Sequence, residues 1–432
     1  MFEWIENHLM EPLGKIAQNR YLQAIRDAFV IFALPVIITG ALFLIIANPP
    51  TSLDWGIIDA WANAIEPIQH QILFPFNLTF GIMALTVAFG IGYSLAQRYD
   101  GMDAVMAGIL SMLAFFMTAF PMTDITQVPF GEVLNYLGGQ GLFVAIILGI
   151  LTTEAFRFLT NKGLTFEMPA GVPPYVMRTF RALIPFMLIL PAVWALAWIV
   201  WANFGVTLPQ LVLDAFSPLV AASNSYWAAI AMIILMLLLW SMGIHGMNVV
   251  SSVAYPFWMT QMAENADAVK AGAEATGIVT EPFYHMFAHL GGSGATIGLA
   301  IFLLFARSAM LKQVGKTAIV PSFFNINEPL LFGVPIVLNP LLVIPFILGP
   351  AVIVTINYFV FASGLIPPVI IQPPFTVPIF FGGFIATGGS VAAGLLQIID
   401  AIIAAIIYYP FFKKYDNQLY AQEQEDNAAA AK

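Results

Sequence analysis

Long apolar stretches separated by short polar ones set the plan of this chain. Residues 28–47, 78–96, 104–120, 141–156 and 183–201 each approach or reach the length that crosses a bilayer as one helix. A second set follows at residues 228–250, 283–306, 336–362 and 391–411. The pattern predicts an all-α polytopic membrane protein with about 8–10 transmembrane helices. Glycine and proline interrupt the second set. The run His289-Leu-Gly-Gly-Ser-Gly-Ala295 divides residues 283–306 and predicts a re-entrant hairpin, or two short crossings. Residues 321–340, PSFFNINEPLLFGVPIVLNP, are too broken to cross and predict a dip. Two re-entrant elements are therefore expected in the C-terminal half. Prolines at 169, 173 and 174 mark residues 160–181 as a linker with an interfacial helix. The polar, alanine-rich residues after Asn417 predict a disordered tail. The chain thus divides into residues 1–205, residues 206–416 with the re-entrant elements, and a tail at 417–432.

Basic residues orient this plan. Lys15, Arg20 and Arg26 precede the first stretch, Arg98 follows the second, Arg157 and Lys162 follow the fourth, and Arg178 and Arg181 precede the fifth. Residues 48–77, 121–140 and 203–225 contain no Lys or Arg, so the positive-inside rule predicts a cytoplasmic N-terminus. Lys413 and Lys414 place the C-terminus on the same side, and Lys270, Arg307, Lys312 and Lys316 are assigned there too. The polar first 20 residues read as an amphipathic lead-in rather than a cleaved signal. Composition agrees with a lipid bilayer as the surrounding medium: the 432 residues are 60% hydrophobic and 9% charged. No basic patch suits nucleic acid. The absence of cysteine excludes disulfides, thiolate metal ligands and a thiol nucleophile on these residues.

Glu328 is the leading chemical candidate, because an ionisable group at bilayer depth is costly and rarely kept without a function. Pro329 biases it out of the α region and suits the first position of a helix. The carboxylate then meets unpaired backbone N–H groups, which favour an anion. Asn325 and Asn327 can satisfy further backbone groups, and Gly333 with Pro335 keeps the following helix short. His245 occupies another break, in LLWSMGIHG at residues 238–246. Trp240 and Phe375 can stack on a sugar ring, although most aromatic residues in a chain with 14% of them face lipid or core. Glu281, His285 and His289 recur every four residues and imitate a metal face, but the glycine turn that follows and the lack of a fourth ligand argue against a metal. Asp400 lies midway along the last stretch and is read as a hydrogen-bonding residue between helices. GGSGATIGL, residues 291–299, has no lysine and follows no strand, so it is not a phosphate loop.

FNINEPLLFGVPIVLNP, LLWSMGIHG, GGSGATIGL and RALIPFMLIL together closely resemble the membrane subunit, EIIC, of phosphotransferase-system sugar transporters, in the lactose, cellobiose and N,N'-diacetylchitobiose branch. The resemblance implies a multi-pass protein of the bacterial cell membrane. It also implies a homodimer joined through its N-terminal half, a C-terminal half that carries a β-linked disaccharide inward, and no cofactor. A separate cytoplasmic EIIB with a phosphocysteine would phosphorylate the sugar at its 6-hydroxyl. Residue by residue, Glu328 and His245 match the pair at the reacting hydroxyl, and Asn327, Asn325, Trp240, Gly243, Gly246 and Phe375 match neighbouring sugar contacts. Related chains often read Pro-Trp-Thr where this one has Pro374-Phe375-Thr376, and have Gln at the place of Asn325. On the residues alone two other readings stay open: an ion-coupled secondary transporter with Asp400 and Glu328 as proton sites, and a receptor that binds sugar without moving it. Arg178 and Arg181 are charge-rule anchors that can also dock an acidic partner.

Overall fold

A computed structural model describes residues 18–49, 56–166, 174–336 and 339–430. The lead-in before residue 18 and residues 167–173 of the expected linker lie outside the described residues. All regular structure among the described residues is helical. Among the described residues six helices are long and apolar enough to cross a membrane, joined by a bent pair with a 75° angle and one shorter apolar helix.

The first half is a tight antiparallel pack. Helix α1 (Arg20–Ala47) carries a π-helical turn at Ala28–Ala33. Helices α2 (Gly56–Ile65) and α3 (Gln69–Asn77) fill what reads in sequence as a polar loop. Their amphipathic ends return to α1 through Trp61 and Gln69, which donate to the carbonyls of Ile46 and Ala47. Helix α4 (Met83–Ala96) runs back along α1, so that Arg98 reaches Asp27 at 2.6 Å. Helices α5 (Ala104–Thr118), α6 (Phe130–Leu137) and α7 (Leu142–Asn161) follow. Small residues let α4, α5 and α7 approach closely: a Cβ at Gly92 would meet Ala107 O at 2.6 Å. Helix α8 (Pro174–Phe204) closes this half and leaves Met187, Trp194 and Trp198 exposed.

In the second half, α9 (Leu208–Ser223) and α10 (Tyr226–Ser241) form the bent pair. The apolar stretch expected to cross at 228–250 instead breaks at Met242–His245, and α11 (Gly246–Lys270) leads away from the break. A Cβ at Gly246 would run into the carbonyl of Met236, so only glycine permits this turn. Lys270, expected with the cytoplasmic basic residues, lies at the opposite end. Its Nζ donates to Asn77 Oδ1 at 2.8 Å, and Asn224 nearby holds Thr276, Ile278 and Val279. It was misplaced because residues 228–250, counted as one full crossing, break at Met242–His245.

The run His289–Ala295 is correspondingly no hairpin. Helices α12 (Glu281–Phe287) and α13 (Ile297–Leu304) are two halves of one broken passage. Its course is fixed by the last helix, α18 (Val391–Ala430): Met286 O is held by Gln397, Gly294 O by Tyr408, and Arg307 N by Asp416. From Gln397 to Asp416 α18 rises about 28 Å, nearly the thickness of a hydrocarbon core.

Two true dips flank this passage. Helix α14 (Ala309–Phe323) leaves the Arg307 end, turns at Asn325–Asn327, and α15 (Glu328–Gly333) returns until Gly333 packs on Val314. The second dip enters from the Lys270 end after α16 (Pro340–Ala362). Extended residues 366–375 lead in past Asn265, which donates to Val369 O. The chain then returns through α17 (Phe381–Ala386), whose Ala386 O accepts from Ile370 and Ile371 N. The tail expected to be disordered instead continues α18 as helix through Ala430. Its Glu423 accepts from Ser308 Oγ at 2.6 Å and Ala309 N at 2.9 Å, capping α14.

Candidate functional site

The three interruptions meet in the middle of the second half, and two asparagines bind them. Asn325, at φ 60°, accepts from Gly291 N at 2.8 Å and donates to Phe375 O at 2.8 Å and Val377 O at 2.9 Å. Asn327 donates to Ser293 O at 2.6 Å and Thr296 Oγ1 at 2.8 Å. Irregular backbone at this depth needs partners inside the protein, and these two side chains supply them. Both lie where sequence placed them, but the donors of Asn325 and Asn327 are fully engaged with the protein.

Beside this junction is a cavity of about 290 Å³, the size of a small-ligand site. Glu328, His245, Trp240, Asn325, Asn327 and Phe375 all line it. Gly243 and Gly246 do not; they shape the turn before α11, Gly243 at φ 82°. Glu328 is exposed to the cavity and makes no hydrogen bond among the described residues. Helix α15 has only six residues, so the field of backbone N–H groups at its start is smaller than the sequence suggested.

His245 caps α11. Its Nδ1 accepts from Asn248 N at 3.3 Å, so the neutral ring carries its proton on Nε2 and offers a donor there. Trp240 tilts over the ring, with centroids 4.3 Å apart, and its buried indole N–H has no partner among the described residues. An acid and an imidazole from separate breaks thus share one cavity with an aromatic wall. That arrangement can orient a hydroxyl and take its proton.

The cavity also holds groups the sequence did not assign to it. Val30, in the π turn of α1, and Leu34 form part of the wall, which ties the first half to the site. Glu281, which is buried, and His285, which is partly exposed, noted in sequence only as an imitation of a metal face, are hydrogen-bonded one turn apart through Oε1 and Nδ1 and line the cavity. His289 is buried outside it, and among the described residues no three acidic or imidazole groups are placed to hold a metal. Gln372 also reaches the cavity; an amide set within the apolar run IIQPPF is a signal that was there to be read. Asp400 is fully buried elsewhere and accepts from Asn357 Nδ2 at 2.8 Å, an interhelical bond as expected. Arg181 lines a separate recess of about 450 Å³ beside Asp103 and Thr160, at the end that carries Arg98 and Arg157; the side chain of Arg178 lies outside the described residues.

Residues 26–350 match the family model for the phosphotransferase system, EIIC. The chain belongs to the EIIC family. This EIIC is 39% identical to the lichenan permease IIC component of Bacillus subtilis (strain 168), over 98% of this chain and 95% of that protein. It is 40% identical to the cellobiose-specific EIIC component of Geobacillus stearothermophilus, over 98% and 96%. The lactose-specific EIICB component of Streptococcus mutans serotype c is 31% identical, over 96% of this chain and 72% of that one. In structure it is similar to the crystal structure of the IIC component from the N,N'-diacetylchitobiose-specific phosphotransferase system. The TM-score is 0.88 at 35% identity, covering 98% of this chain and 99% of that one. This EIIC is therefore an all-helical, multi-pass membrane component of a phosphotransferase system.

Proposed function

We propose that this EIIC carries a β-linked disaccharide of the cellobiose or diacetylchitobiose class inward and presents its 6-hydroxyl for phosphorylation. The observation that carries the reading is the convergence of Glu328, His245 and Trp240, from separate elements, on one cavity of sugar size. Relatives named for cellobiose, lichenan and diacetylchitobiose support this substrate class. His245 Nε2–H holds the hydroxyl oxygen toward the phosphorus while Glu328 takes the hydroxyl proton. The O–P bond forms as the S–P bond of a donor phosphocysteine breaks and its thiolate leaves. None of the 432 residues is cysteine, so the phosphocysteine is assigned to an EIIB unit outside them, taken in this proposal to be a separate protein. The end that carries Arg98, Arg157, Arg307 and Lys413 faces the cytoplasm, where EIIB approaches, and both termini lie there. Two copies join through the first half, for which the exposed apolar face of α8 is available.

Glu328→Gln keeps the shape of the side chain and removes its proton acceptor. In vesicles supplied with phosphoenolpyruvate and the soluble carriers, it is expected to abolish formation of sugar phosphate while the dimer persists in detergent. Wild-type turnover in this variant overturns the assignment, and wild-type uptake driven by a pH gradient without phosphoenolpyruvate overturns the transport mode.

A further inference from the structure

Away from the sugar cavity, at the Lys270 end, a second recess of about 350 Å³ opens between α9, α11 and residues 276–277. Asp214, Ser217 and Ala221 line it from one face of α9, and Gln261 and Glu264, three residues apart, line it from one face of α11. The two helices are held together behind it by Gln261, whose Nε2 donates to Val220 O at 3.2 Å and Ser223 Oγ at 2.9 Å. Asn224 closes the edge, its Nδ2 donating to Thr276 O at 3.2 Å and its Oδ1 accepting from Ile278 N and Val279 N.

These bonds consume donors and leave acceptors. Gln261 is 2% exposed, and its Oε1 has no hydrogen-bond partner among the described residues. A buried acceptor is rarely left unmet, so a group of positive character is called for beside it. Glu264 makes no hydrogen bond among the described residues, and Asp214 accepts only from Gln210 Nε2 at Oδ1, which leaves its other oxygen. No Lys, Arg or His is among the residues that line the recess, so nothing there balances the two carboxylates. No aromatic ring lines it either, which gives a sugar no face to stack on. Carboxylate, amide and hydroxyl oxygens without nitrogen or sulfur are the ligand set of a hard cation. Calcium takes six to eight such oxygens in flexible geometry and completes its shell with water, whereas magnesium demands a near-ideal octahedron.

We propose that this recess is a calcium site on the outer face, with Glu264 and Asp214 as charged ligands and Gln261 Oε1 as a neutral one. The ion ties α9 to α11 beside the segment that leads into α12, at the end of the molecule opposite its basic residues.

The test is calorimetric titration of calcium chloride into the purified full-length protein, freed of metal by a chelator and held in an uncharged maltoside detergent. One ion per chain is expected, with Kd on the order of 10⁻⁴–10⁻³ M, the range of extracellular calcium sites. Glu264→Gln keeps the side-chain shape and removes the charge, and Gln261→Leu removes the amide oxygen; each is expected to weaken calcium at least about tenfold. Glu132→Gln, at an exposed acid on α6, is expected to bind as the wild type does. Calcium at about 5 mM is expected to raise the melting temperature of the wild type and of Glu132→Gln but not of Glu264→Gln, which supplies the readout should Gln261→Leu not fold. Absence of saturable binding below about 10 mM, or wild-type affinity in Glu264→Gln, overturns the site, and tighter binding of magnesium than of calcium overturns the choice of ion.

Discussion

His245 does two jobs that a substitution can separate. Its Nδ1 caps α11 and its Nε2 faces chemistry, and asparagine is as good a cap as any residue. His245→Asn is therefore expected to keep the fold and sugar binding but to slow phosphorylation by about 10²-fold or more, read as a fall in kcat with little change in KM. Alanine at the same position loses the cap as well, and is expected to lower the melting temperature where asparagine does not. Glu281 offers a different case. Its carboxylate is buried and His285 lies half-buried beside it, so Glu281→Ala leaves an imidazole without its partner. A loss of roughly 1–3 kcal/mol is expected, measured as earlier thermal aggregation in detergent. Glu328 and His245 were legible in the sequence because each sits in a visible break of an apolar run. Gln372 and the Glu281–His285 pair were harder to see. Their importance depends on which backbone levels come together, and periodicity along one chain does not report that.

Among the elements, the junction made by Asn325 governs the most backbone. Asn325→Ala frees Gly291 N and the carbonyls of Phe375 and Val377 at once. Faster amide exchange is expected in residues 289–295 and 374–378, with α4 and α5 unaffected; uniform protection across the second half would count against the junction. The turn at Gly246 gives a sharper contrast. Gly246→Ala is expected to prevent accumulation of folded protein, whereas Gly131→Ala, where nothing lies within 4 Å, is expected to be neutral. Glycine and proline marked the dip at Glu328 and the break before His245, because both residues act through local backbone geometry. The same signals at Gly291, Gly292 and Gly294 were ambiguous. A turn that reverses the chain and a turn that lets it continue need the same positive φ, and only contacts with α18 separate them.

For the whole molecule, the basic residues gather at one end and Lys270 stands at the other. A chain without cysteine makes this easy to map. Lys270→Cys is expected to react with a membrane-impermeant maleimide in intact cells, and Lys413→Cys only after permeabilisation; the reverse pattern would invert the orientation. The placement of Lys270 was missed because hydropathy counts crossings well and handles broken ones badly. One interrupted passage taken for a hairpin put the loop before it, with Lys270, on the wrong face. The tail was misjudged for another reason. Its composition is that of a chain with no core to bury, yet an unbroken connection to a long apolar helix and the three capping bonds of Glu423 to Ser308, Ala309 and Met310 keep it ordered.

That last helix has forty residues, about 60 Å of rod, twice what the lipid needs. Its far end is tied by Glu423 to the start of α14, the helix that leads into the turn before Glu328. The projecting rod therefore works as a lever arm on the dip, and a tilt imposed from solution on its free end would be felt at the sugar.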